Sequence, residues 1–218
     1  DIKRYKEVYN LLYKTAVKTE VMEKYHDIGT SVNISVLNWL RGLPTKNFLL
    51  SSFPEAEKIG GEVFAEKHLI RRFSCAGCPI GCVHIAALKT AFSEHHEFEV
   101  RRVSYDYEPI YSLGSNLGVK TAEGILQLID ACERLGLDVM SAGVVLSWAT
   151  EALEKGLITE KETMGVPLQW NEVEGYAKAL NLMVRAPNEF YASLGRGAEY
   201  AAKKHGGLEY AMTLGGNE

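Results

Sequence analysis

The spacing of apolar residues predicts helices over much of this chain. In the first stretch, apolar side chains recur at helical intervals between charged ones, at Tyr5, Val8, Tyr9, Leu12, Tyr13 and Ala16. This pattern is typical of an amphipathic helix. A second helix is expected through Val36 and Leu40, with Ser31 as its N-cap and with Gly42 and Pro44 ending it.

The next part of the chain combines turn residues with strand-like runs. Residues 55–69 have a helical pattern that is interrupted at Gly60 and Gly61. Further on, two short β-type runs, VHIAALKT and FEVRRVS, are separated by SEHHE, so we predict a β-hairpin there. His95 and His96 fall in the connecting turn, where we expect them to be solvated.

Residue types that begin and end helices divide the second half of the chain. Thr121 and Asp138 are good N-caps for helices that run to about Leu135 and Gly156. The apolar stripe of the first of these helices includes Cys132. A free cysteine in that position usually behaves as a small buried hydrophobe, so we expect Cys132 in the core.

The last third is also expected to be helical. Asn171 is predicted to cap a helix, with Glu174 at the reciprocal position of a capping box. Pro187 should end that helix, and one final helix should run towards His205. Together these patterns predict a mostly α fold, an irregular multi-helix domain with a small β-hairpin near a group of cysteines.

Length, composition and net charge limit the classes of protein to which this chain can belong. A chain of 218 residues with 46% hydrophobic content can bury a substantial core. Its net charge of −4 argues against a nucleic-acid partner, and its apolar runs are too short to predict a membrane span. Clustered thiols indicate a reducing, cytoplasmic location. Because the chain begins at Asp1 without an initiator methionine, we expect it to be a piece of a larger polypeptide.

Three of the four cysteines stand close together. Cys75, Cys78 and Cys82 follow the spacing C-x2-C-x3-C, and Gly77 and Gly81 between them permit tight turns. Thiolates on such a loop can converge on an iron–sulfur cluster or another metal. Four ligands are normally needed, so the fourth is expected outside this chain. The chain alone is therefore predicted to carry no intact cluster.

A zinc site is an alternative use of the same thiols. His84 comes two residues after Cys82, so on a strand both side chains would point the same way. The three cysteines and His84 would then form a four-ligand set. A zinc- or cluster-stabilised helical binding module without catalytic activity is thus a competing hypothesis.

Several stretches, in order, resemble the tungsten-containing aldehyde:ferredoxin oxidoreductases. They are LRGLPTKNF, CAGCPIGC, YEPIYSLGSNLG, ERLGLDVMSAG, ALEKG and LGRGAEYAAKKHG, and they cover nearly the whole chain. The ordered set is far more specific than the cysteine spacing alone. The resemblance implies that residues 1–218 are one helical domain, the family's middle domain, without its N-terminal β domain and its C-terminal helical domain.

The resemblance also implies cofactors. The family pairs a tungsten (sometimes molybdenum) bis-pterin centre with a [4Fe–4S] cluster, for which Cys75, Cys78 and Cys82 would be three ligands. Its pterin-binding motif D-x-x-G-L-D would correspond to residues 133–138, with Gly136, Leu137 and Asp138 matching. Glu133 replaces the usual aspartate, and Asp138 is also a plain N-cap.

Two further residues are assigned by the same resemblance. Glu108 matches a glutamate near the metal centre and would exchange a proton during catalysis. Asn116 lies in a tight G-x-N-x-G turn, which either approaches the cofactor or is simply structural. The implied reaction is the oxidation of small aldehydes to carboxylic acids with ferredoxin as acceptor. Sugar-phosphate aldehydes or aromatic thioesters are alternative substrates, and homo-oligomerisation stays open.

Overall fold

The computed structural model describes residues 1–92 and 97–218, so His95 and His96 lie outside the described residues. Helices make up 53% of the described residues and accompany a small antiparallel sheet of order β1-β2-β3. The strands are β1 Leu69–Phe73, β2 Val83–Ala91 and β3 Phe98–Tyr105. The α-helices of the described ranges are α1 Ile2–Val17, α2 Glu20–Asp27, α3 Asn33–Trp39, α4 Gly61–Lys67, α5 Tyr107–Leu113, α6 Ala122–Leu135, α7 Val139–Glu154, α8 Val173–Arg185, α9 Glu189–Leu194 and α10 Ala198–His205. The predicted mostly α fold with a hairpin is confirmed.

The sheet has one strand more than the sequence predicts. β2 and β3 form the expected hairpin, with His84 opposite Tyr105 and Ala91 opposite Phe98. β1 was not predicted, because its run LIRRF shows no alternation of apolar and polar residues. In the structure four of its five residues are exposed. It pairs antiparallel with β2 and places Phe73 opposite Val83. The segment that carries the three clustered cysteines is therefore the connection between two paired strands.

The N-terminal helices differ in detail from the prediction. α1 forms as expected, but none of its residues is buried. Ser31 is not the N-cap of α3, which begins at Asn33 without a capping side chain. The Ser31 hydroxyl instead donates to the Ile28 carbonyl at 2.7 Å, within a 3-10 turn. The predicted helix at residues 55–69 is indeed interrupted at Gly60, which precedes α4.

Caps in the second half agree with the prediction at two positions and disagree at a third. The Thr121 hydroxyl accepts from Gly124 N, and the Asp138 carboxylate accepts from Ser141 N. Asn171, however, does not cap α8, because its side-chain oxygen accepts from Lys120 N. The predicted capping box between Asn171 and Glu174 was therefore wrong, because the Asn171 side chain bonds to Lys120 instead.

The final helix is two helices. α9 ends at Leu194, and α10 begins at Ala198 after a turn through Gly195, Arg196 and Gly197. α8 ends at Arg185, before Pro187, as predicted.

Pairs of helices enclose the core. α6 packs on α8 and on the sheet, whereas α5 packs on α7. Trp148 of α7 is fully buried, and its indole N–H donates to the Gly207 carbonyl at 3.2 Å. None of the helices in the described ranges combines the length and the apolar character needed to cross a bilayer.

Candidate cofactor site

The connection between β1 and β2 carries three cysteines. Because Phe73 pairs with Val83, the two ends of this connection lie side by side. Cys75 is exposed, Cys78 and Cys82 are half-buried, and none of them forms a disulfide. The Cys78 N–H donates to the Cys75 carbonyl at 3.0 Å, so a turn joins the first two cysteines. We call residues 74–82 the cysteine loop.

The chemistry of this loop fits a metal cluster, although the side chains are not gathered around one point. Over residues 1–92 and 97–218, no group of three or more Cys, His, Asp or Glu side chains is arranged to hold a metal ion. Three thiols nevertheless stand on one short loop whose Gly77 and Gly81 adopt φ values of 75° and 73°. These left-handed conformations suit a tight thiol-bearing loop. The predicted three-ligand set stays a prediction.

The side chain of His84 is buried in the protein and is not available as a metal ligand. Its ring is fully buried against Tyr105, with the ring centres 5.7 Å apart. Nε2 lies 2.9 Å from the His26 carbonyl oxygen, which can only accept, so Nε2 carries the hydrogen. Burial lowers the pKa of His84. The structure therefore does not support the zinc alternative that used His84.

Cys132 lies in the core, as its position on the apolar stripe predicts. The side chain is fully buried in α6. Burial, followed by the charges of Asp138 and Glu133, raises the pKa of its thiol to about 12. A thiol in this state is a poor metal ligand, because metals bind the thiolate.

The residues of the ERLGLD motif occupy the junction of α6 and α7. Gly136 ends α6 with φ of 71°, and a Cβ added there would meet nothing within 4 Å. Asp138 Oδ1 accepts from Ser141 N at 2.8 Å, which confirms its role as a cap. Gly136, Leu137 and Asp138 line a cleft of about 370 Å³, and Arg196 also lines it. This open backbone surface is suited to the close approach of a ligand.

Glu133 faces a different hollow. It lines a space of about 360 Å³ together with Arg71, Phe73 and Arg102, on the face of the sheet beside the cysteine loop. The pKa of Glu133 is raised by partial burial and then by the charge of Asp130. The structure thus separates Glu133 from the other residues of the motif, which line the cleft.

Asn116 is buried and its side chain is fully hydrogen-bonded. The amide nitrogen donates to Ser147 Oγ at 3.0 Å and to the Gly143 carbonyl at 3.4 Å. The amide oxygen accepts from Asn47 N at 3.1 Å. These contacts correspond to the structural interpretation of the G-x-N-x-G turn. Cofactor binding by Asn116 stays a prediction without support from these contacts.

The same contacts belong to a buried polar network that the sequence did not reveal. Asn47, whose φ is 53°, donates from Nδ2 to Glu151 Oε2 at 2.6 Å and to the Tyr210 carbonyl at 3.0 Å. Glu151 is only 2% exposed and pairs with Lys155 at 2.5 Å. Asn47 and Glu151 are 104 positions apart, so no local pattern could have predicted their contact.

Glu108 lies in the first turn of α5 and is exposed in this chain. Its charge contributes to the raised pKa of Tyr107, about 12, and to that of Tyr111, although burial is the larger cause in both. The rings of Tyr107 and Tyr111 are 5.0 Å apart. Enclosure of Glu108 in an apolar cavity would therefore require residues beyond those of this chain.

Comparisons with known proteins agree with the family resemblance. The family model described as aldehyde ferredoxin oxidoreductase, domains 2 and 3, matches residues 5–218. The chain is 30% identical over 210 residues to the tungsten-containing aldehyde ferredoxin oxidoreductase of Pyrococcus furiosus, and 30% identical over 211 residues to that of Thermococcus kodakarensis. Each match covers 96% of this chain and 33% of the relative. The chain therefore belongs to the aldehyde ferredoxin oxidoreductase family and spans about a third of the length of these curated relatives.

Two other proteins are more distant. An aliphatic sulfonate oxidoreductase, WOR-like subunit, of Pyrococcus furiosus is 29% identical over 147 residues, which cover 65% of this chain and 22% of the relative. Among solved structures, the active-site complex BamBC of benzoyl coenzyme A reductase matches with a TM-score of 0.56 and 24% identity. That match covers 72% of this chain and 23% of the solved chain, and it shows a shared fold only.

Proposed function

We propose that the whole protein is a tungsten or molybdenum bis-pterin oxidoreductase that oxidises aldehydes to carboxylic acids and passes electrons to ferredoxin. This chain would contribute three ligands of a [4Fe–4S] cluster, Cys75, Cys78 and Cys82. It would also contribute one pterin-binding motif, through Glu133 and residues 136–138. The observation that carries the proposal is the closed, thiol-bearing loop between β1 and β2, in a chain that belongs to this family.

When bound, the metal–pterin centre would supply two-electron chemistry and the cluster a path for single electrons. The residues of this chain then have three tasks. The thiols hold the cluster, and the open backbone at Gly136 and Asp138 accommodates the pterin. Oxidation of an aldehyde with water releases two protons as well as two electrons, so a proton acceptor is required. We assign this task to the carboxylate of Glu108.

The experiment uses the full-length protein, expressed without oxygen. Metal and iron content are measured first, followed by the reduction of a viologen dye that depends on an aldehyde. Glu108→Gln should keep the metals but lower turnover by about 10²–10⁴, because an amide cannot take up a proton. Cys78→Ser should instead lose iron. Glu160→Gln changes an exposed carboxylate elsewhere on the chain and is the matched control.

Unimpaired turnover by Glu108→Gln, with metal content confirmed, would return Glu108 to the role of a surface carboxylate. A wild-type protein that contains neither tungsten nor molybdenum would contradict the proposal as a whole.

A second candidate keeps the cofactors and changes the substrate. One relative is named as an aliphatic sulfonate oxidoreductase, so membership of this family does not settle what is oxidised. The same dye assay, run with an aldehyde, a sugar-phosphate aldehyde and an aliphatic sulfonate, tests the possible oxidations. An aromatic thioester is tested in the opposite direction, by the oxidation of a pre-reduced viologen dye that depends on the thioester. The substrate with the highest kcat/KM then identifies the class.

A further inference from the structure

The C-terminal end of α2 forms a hydrogen bond with the cysteine loop. His26 Nδ1 lies 2.7 Å from the carbonyl oxygen of Ile80. Because a carbonyl oxygen can only accept, Nδ1 carries the hydrogen and donates it. Ile80 stands between Cys78 and Cys82, so a side chain from 54 positions earlier in the chain is bonded to the middle of the ligand loop.

The position of His26 is itself set by the strands that flank the loop. Its backbone carbonyl accepts from Arg72 Nε at 2.8 Å and from His84 Nε2 at 2.9 Å. Arg72 also donates to the Asp27 carbonyl at 3.3 Å. Arg72 and His84 are paired across the β1–β2 ladder. The end of α2 is therefore hydrogen-bonded to both strands at the same pair of residues. The imidazole of His26 therefore meets the loop from a defined direction.

This contact orients the peptide group between Ile80 and Gly81. The peptide is trans and planar, so its N–H points opposite to its carbonyl. With the Ile80 oxygen held by His26, the Gly81 N–H points away from α2. Gly81 is buried, and in the part of the chain that the structure describes its N–H has no hydrogen-bond acceptor. A buried N–H is seldom left without a partner, so this donor indicates an acceptor that the chain itself does not supply.

Steric fit supports the same arrangement. A Cβ added to Gly81 would lie 2.9 Å from His26 Nδ1, closer than side chains normally approach. The φ of 73° at Gly81 also belongs to the left-handed region. Glycine is therefore favoured here for two independent reasons, and the first of them depends on the imidazole being in place.

We propose that His26 is a positioning residue for the cluster, and that it orients the Ile80–Gly81 peptide so that the Gly81 N–H donates to a cluster sulfur. This inference rests on the proposed function, because it presumes a cluster on the cysteine loop. Hydrogen bonds to sulfur are among the factors that set cluster potentials. Such a bond stabilises the more negative, reduced cluster and so raises its reduction potential.

The test compares variants of the full-length protein purified without oxygen. His26→Ala removes the donor, whereas His26→Asn keeps an N–H at nearly the same distance from the backbone. Lys24→Ala, at an exposed position of the same helix, is the control. Iron and sulfide are counted for each protein, and the cluster potential is measured by a redox titration followed by electron paramagnetic resonance. We expect a more negative potential for His26→Ala, with wild-type values for His26→Asn and Lys24→Ala.

Each outcome bears on the inference. Loss of the cluster in His26→Ala but not in His26→Asn also supports it, since the two variants differ in the donor. Equal potentials in wild type and His26→Ala at full iron content overturn it, as does loss of the cluster in both variants. A wild-type protein without a cluster removes the proposed function and this inference together. A loaded wild type with unshifted variants removes the inference alone.

Discussion

Replacing Asn47 by aspartate tests the buried polar network that connects the segment between α3 and α4 to α7. The substitution keeps the size of the side chain but removes its N–H donors. In the native chain Asn47 Nδ2 donates to Glu151 Oε2 at 2.6 Å. An aspartate would instead place a second carboxylate against Glu151, which is 2% exposed.

The size of the effect follows from these contacts. A hydrogen bond to a charged group contributes about 1.5–3 kcal/mol, and leaving a buried charge without its partner costs about 3–5 kcal/mol. Lys155, paired with Glu151 at 2.5 Å, offsets part of the repulsion. We therefore expect the free energy of unfolding to fall by about 3 kcal/mol at pH 7.5, out of a typical total of about 5–15 kcal/mol.

Urea denaturation of the 218-residue chain, followed by circular dichroism, measures this loss. Adding Glu151→Gln to Asn47→Asp should restore much of the stability, because the new amide donates to the new carboxylate. Two adjacent carboxylates raise each other's pKa, so the deficit is present at high pH and shrinks as acid protonates one of them. A loss below about 1 kcal/mol at pH 7.5, or a loss independent of pH, would show that Asn47 and Glu151 are not coupled in this way.

Three further predictions concern other parts of the chain. At pH 8, a maleimide should label the three cysteines of the loop but not Cys132, whose thiol has a pKa of about 12, and mass spectrometry should find a fourth label only in denaturant. Gly143→Ala should destabilise the chain by about 1–3 kcal/mol or more, because its Cβ would lie 2.0 Å from Ser112 Oγ. Gly42→Ala, whose Cβ would have only ordinary contacts, should cost less in the same urea titration. Burial lowers the pKa of His205, so its contribution to stability should be lost as pH falls below about 6.5, and His205→Gln should flatten that dependence.

Helix ends show which features could be predicted from the residues alone. Thr121 and Asp138 cap their helices through hydrogen bonds to residues three positions ahead, so the information lies within a few residues. The same holds for the burial of Cys132, which follows from the helical period. Asn171 shows the limit, because it carries an equally good capping side chain that instead bonds to Lys120.

The candidate site divides in the same way. The spacing of the thiols, the glycines between them and the order of motifs that marks the family can all be read from the residues alone. Three other features emerge only in the folded chain: β1 closes the cysteine loop, His26 bonds to that loop, and Glu133 lines a different cavity from Asp138. The two groups of features differ in the sequence separation of the residues that interact. Caps and periodicity depend on neighbours within a turn or two, whereas these contacts depend on how distant segments pack together.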